Sequence, residues 1–168
     1  MDTSIVLLAF PALMGLAASF DALTMTIPNR ISIALVLSFA LAAILVGLPA
    51  AGVWAHVGAG ALALAVGFAC FALGWIGGGD AKLAAAAALW IGWSHLLEYA
   101  LLFSILGGVL TLAILMGRQL PLPQMLCRVG WIDRLHDRNT GIPYGIALAA
   151  AALVLFPETG WMSLIPAP

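Results

Sequence analysis

Charged side chains punctuate this chain at wide intervals, and the uncharged stretches between them set its architecture. Runs free of Asp, Glu, Lys and Arg cover Thr3–Phe20, Ile31–Gly79, Leu83–Leu97, Tyr99–Gly117 and Asn139–Pro157. A membrane span needs about 20 apolar residues, so the 49-residue run from Ile31 to Gly79 divides in two near Pro49-Ala50-Ala51-Gly52. The pattern predicts six helices, at 3–21, 31–48, 53–74, 81–97, 99–117 and 142–157. The fourth is short and needs Lys82 and Glu98 to reach outward to the interfaces. The expected fold is an all-α integral membrane protein, a single transmembrane domain over 1–168, with about six transmembrane helices.

Composition sharpens this picture. Of 168 residues, 64% are hydrophobic and 8% charged, whereas a soluble domain carries about 25% charge. Thirteen charged side chains cannot clothe such a surface in water. A net charge of −1 excludes the basic stripe that nucleic-acid binding needs. Cys70 and Cys127 form no CxxC pair, so neither a disulfide framework nor a zinc site is expected. The first run begins with Asp2 and no Lys or Arg, unlike a signal peptide, and reads as a helix of the mature protein.

Threading six spans across a bilayer places Arg30, Lys82, Arg118, Arg128, Arg134 and Arg138 all on one side. Asp2, Glu98 and Glu158 fall on the other. The positive-inside rule then puts the termini outside and segments 21–30, 75–82 and 118–141 in the cytoplasm. Trp54, Trp93 and Trp161 are expected at the outer interface, Trp75 and Trp131 at the inner one. The basic residues of 118–141 are expected to meet anionic lipid.

Two acids stand out on the cytoplasmic side. Asp21 ends the first predicted helix and Asp80 begins the fourth, at similar depth. Asp80 follows Gly77, Gly78 and Gly79, which predict unwound backbone open to positive φ and close approach. Pro28 breaks the chain after Asp21. Paired carboxyls suit an aspartic protease, one activating water while the other protonates the peptide carbonyl, with no metal or cofactor. A metalloprotease would want HExxH, and His56, His95 and His136 never take that spacing. By helix-dipole reasoning Asp80, at a helix start, carries the charge, and Asp21, at a helix end, the proton. A small transporter or pilus-assembly scaffold, with Asp21 and Asp80 handling protons or pairing with Lys82, remains the alternative.

Gly77-Gly78-Gly79-Asp80-Ala81-Lys82-Leu83 resembles the GxGD segment of the type IV prepilin peptidases, where this Asp is catalytic. The stretch from Asp21 to Pro28-Asn29 resembles that family's other catalytic segment. Ile142-Pro143-Tyr144-Gly145 resembles the proline segment opening its last helix. The compact length is similar to the form serving tight-adherence (Flp) pili. The resemblance implies a bacterial inner-membrane peptidase with Asp21 and Asp80 catalytic. Gly77, Gly78, Gly79, Lys82, Pro28 and Pro143 then shape the site. The implied substrates are prepilins and pseudopilins, cut after a glycine before their hydrophobic segment. Longer relatives also N-methylate the trimmed pilin and carry a four-cysteine zinc domain, which nothing here matches. The stretch Ala22–Thr26, where relatives often place Arg or Lys, is uncharged.

Overall fold

A computed structural model describes residues 3–161. Seven α-helices follow one another: α1 (Thr3–Thr24), α2 (Asn29–Leu45), α3 (Ala50–Ala72), α4 (Gly78–Ile91), α5 (Leu96–Gly117), α6 (Gly130–His136) and α7 (Gly145–Leu155). A single 3-10 turn, Phe156–Glu158, extends α7, and no strand occurs among the described residues. Helices α1, α3 and α5 are long and apolar enough to cross a membrane. Their outer faces expose Leu64, Val66, Phe68, Leu101, Ile105 and Leu112, a surface suited to hydrocarbon rather than water.

Several expected boundaries move. Asp21 lies inside α1, one turn before its end. Helix α4 stops at Ile91 rather than at residue 97, because Gly92 takes φ 80° and ψ 176°, a positive-φ conformation that glycine admits and that ends the helix. Glu98 therefore belongs to the first turn of α5, where it meets His95 at 2.7 Å, and does not anchor α4. The segment between α5 and α7 also folds a short helix, α6, which no long apolar run announced.

Two core helices, α4 and α7, fall well short of spanning about 30 Å of hydrocarbon. At 1.5 Å per residue, the 14 residues of α4 reach about 21 Å and the 11 of α7 about 17 Å. A helix ending inside the bundle must find donors for its last carbonyls. For α4 they come from other elements. His56 Nδ1 donates to Leu89 O at 2.8 Å, and Trp161 Nε1 to Trp90 O at 2.8 Å. Trp161 is thus buried, not at the interface as expected, with its ring 5.2 Å from that of Trp90. Trp54, Trp75 and Trp93 are exposed. Trp90 itself donates to Leu35 O of α2 at 2.8 Å. Phe10, Phe39 and Phe156 close this aromatic knot at the end of α4 remote from Asp80.

Small residues set the rest of the packing. Helix α3 lies closely along α4, with Gly60 against Leu89 and Gly67 against Ala81; a Cβ at either glycine would come within 3.2 Å of its neighbour. Helix α7 packs on α1 and α5, completing the core around Phe10, Met14, Leu83, Ala87 and Leu148.

Trp161→Phe leaves the Trp90 carbonyl buried without its indole donor. We expect about 1–3 kcal/mol of destabilisation, read as a lower unfolding temperature in detergent.

Candidate active site

Three segments distant in sequence converge beyond the N-terminal ends of α4 and α7. Asp21 comes from α1, Asp80 from the first turn of α4, and the third element is Pro143-Tyr144-Gly145, where α7 begins. Asp21 is 4% exposed, and its Oδ2 accepts the Gly145 backbone N–H at 2.7 Å. Asp80 sits three residues past the α4 N-cap, and its carboxylate takes a hydrogen bond from the Gly77 backbone N–H. The two carboxylates interact electrostatically across a separation of 59 residues.

Each acid thus meets the N-terminus of a helix, where free N–H groups and the macrodipole favour anionic groups. This lessens the helix-dipole asymmetry read from the sequence, while burial still separates the two acids, Asp21 being the more enclosed. Asp21 does lie near the C-terminal end of its own helix, but it faces the N-terminus of α7 as well.

The glycines act through close approach. Gly77 has φ −72°, and Gly78 and Gly79 form the first turn of α4, so the expected unwound, positive-φ backbone is absent there. A Cβ on Gly77 would stand 2.9 Å from Asp80 Oδ2, and one on Gly79 would stand 3.3 Å from Ile27 Cβ. Gly78 packs on the Phe71 ring. On the other side, a Cβ on Gly145 would fall 2.7 Å from Ile27 Cδ1 and 2.8 Å from Asp21 Oδ2. Ile27 is therefore a wedge between the first turns of α4 and α7. Pro28, the α2 N-cap with φ −62°, fixes the chain immediately after that wedge.

Lys82 faces elsewhere. Its Nζ donates to Asn29 Oδ1 at 3.0 Å, tying the start of α4 to the start of α2. Among the described residues no salt bridge reaches either acid. Pro143 is buried and leads directly into Tyr144 and Gly145. Tyr144 is a site residue that sequence reasoning left without a role. Its hydroxyl donates to Phe103 O at 3.3 Å, and it interacts electrostatically with Asp80. The ring lies so close on Gly107 of α5 that any Cβ there would overlap it. The Gly107-Gly108 pair inside an otherwise bulky apolar helix was the one sequence signal for this notch.

Two adjoining carboxyls, one buried and one partly buried, can hold a single proton between them. That is the requirement for activating water with one group while protonating a carbonyl with the other. The model of the type IV leader peptidase family matches residues 8–112, more than half of the chain, and this protein belongs to that family. The matched stretch contains both acids and the glycines before Asp80 and ends before Pro143. No curated protein and no solved structure matches the chain. Family membership makes it a peptidase of prepilin-type substrates.

Gly145→Ala drives a methyl group into Ile27 and Asp21. We expect peptidase activity to fall toward the hundredfold loss that a misplacement of about 1 Å can cause. Gly108→Ala, with open space at its Cβ, should stay near wild type in the same cleavage assay.

Proposed function

We propose that this protein is an aspartic endopeptidase of the GxGD type that removes the short leader from prepilins, with Asp21 and Asp80 as its dyad. The observation that carries this reading is the meeting of the two carboxylates, each held by a backbone N–H at a helix N-terminus. In the resting dyad one carboxyl is protonated and the other ionised. The carboxylate takes a proton from water as the oxygen attacks the scissile carbonyl. The neutral acid gives its proton to the carbonyl oxygen, and collapse of the tetrahedral intermediate then expels the amine. The pair titrates as a unit, so proton positions belong to the dyad rather than to either residue.

The scissile bond lies after a glycine and before the hydrophobic segment of Flp-type prepilins and pseudopilins. That order suits acids at the end of the bundle rather than at its centre. The chain crosses the bacterial inner membrane six times, α4 and α7 doing so together with the non-helical segments that follow Ile91 and precede Gly145, with termini outside and the dyad at the cytoplasmic face. Support comes from Arg134, Arg118 and Lys82, which all bond to segments around the acids. The transporter reading loses its proposed Asp–Lys82 pairing to the Lys82–Asn29 bond. No N-methylation is proposed, since Cys70 and Cys127 alone cannot form a four-cysteine domain.

Asp21→Asn and Asp80→Asn, each tested with a co-expressed prepilin, should lose cleavage by about 10²–10⁴-fold or more while membrane yield holds. Glu158→Gln, at the far end of α7, should cleave normally. Mass spectrometry of the mature pilin reads the cut site and the absence of a methyl group on the new amino terminus. Normal processing by either Asn variant would remove the dyad.

A further inference from the structure

Arg118 ends α5 and is 7% exposed, yet no carboxylate among the described residues neutralises it. Its guanidinium is spent on one stretch of backbone. Nε donates to Leu135 O at 2.7 Å, and Nη2 lies 3.2 Å from Thr140 O, 3.2 Å from Thr140 Oγ1 and 3.0 Å from Gly141 O. A buried cation with only neutral acceptors is costly, and a planar fork reaching carbonyls on both sides of a turn is the geometry only arginine supplies. Thr140 Oγ1 adds bonds to Arg134 O at 2.6 Å and Asp137 O at 2.9 Å, closing the turn on itself.

Both ends of this folded stretch lead to Asp21. At one end, Arg134 of α6 donates from Nη1 to Leu23 O at 2.8 Å, two residues beyond Asp21 on α1. At the other, only Ile142, Pro143 and Tyr144 separate Gly141 from Gly145, whose N–H holds the Asp21 carboxylate. Pro143 is buried and Tyr144 is seated on Gly107, so this short path has little slack.

We infer that residues 130–141 form a strap, locked by Arg118, that presents the Gly145 N–H to Asp21, making Arg118 a positioning residue for cleavage. This inference rests on the reading of Asp21 as a reacting carboxylate. Arg118 touches neither acid and acts through the backbone it holds. The segment lies outside the stretch that the family model matches.

The test joins hydrogen exchange with steady-state kinetics on the full-length protein in detergent. Arg118→Ala and Arg118→Lys should speed amide exchange in the peptide covering 141–148 and leave peptides from α3 and α4 unchanged. Both variants should lower kcat by on the order of tenfold to a hundredfold, with KM for the prepilin within about twofold. Lysine should not rescue, because a point charge cannot bridge Leu135 O and Gly141 O. Arg128→Ala, an exposed cation of the same loop, should match wild type in both measurements.

Unchanged exchange at 141–148 in Arg118→Ala would overturn the strap. Faster exchange there with normal kcat would overturn the positioning role. Exchange raised throughout α3 and α4 would make Arg118 a general stabiliser and also defeat the inference. If Asp21→Asn still cleaves, it is the dyad that fails, and the exchange data judge the strap separately.

Discussion

A carboxylate buried among apolar helices is stable only with donors aimed at it, and at Asp21 that donor is the Gly145 N–H 124 residues away. The bond fixes more than one side chain. It sets α7 against α1, seals a free N–H of a short helix and brings the proline segment beside Asp80. Close approach is its precondition, since any side chain at Gly145 would strike both the acid and Ile27. The site is therefore assembled from backbone at least as much as from side chains.

The two short helices face a common problem and solve it differently at their two ends. At the start of α4 and α7, free N–H groups are turned to account by the acids. At the end of α4, free carbonyls are silenced by His56 and Trp161. With water excluded, each unsatisfied group would cost several kcal/mol, so the ends of these short helices draw polar partners. The aromatic knot around Trp90 is thus the counterpart of the acid cluster, one on carbonyls and the other on amides.

The arginines carry a related lesson. A count of basic residues treats all six alike and reads them as marks of the cytoplasmic face. Arg118 and Arg134 nonetheless spend their donors on backbone carbonyls next to the site, while Arg30 stacks over Phe20 at 5.7 Å. Charge reports which face a loop occupies, but hydrogen-bond capacity decides what the loop does there.

Much of this protein was legible before its structure. Long uncharged runs dictate apolar helices because hydrocarbon tolerates no other backbone, and all six expected helices exist within a few residues except the fourth and fifth near their junction. Asp21, Asp80 and the glycines were visible as rare polar or permissive positions in an apolar background. What remained hidden depends on contacts between segments far apart in the chain. No local pattern says that Gly145 will meet Asp21, that Tyr144 will rest on Gly107, or that Trp161 will turn inward to Trp90. The glycines show the division most clearly. Their identity could be read as permission for unusual φ or for close packing, and only the arrival of Ile27 and the Asp80 carboxylate within van der Waals distance selects the second.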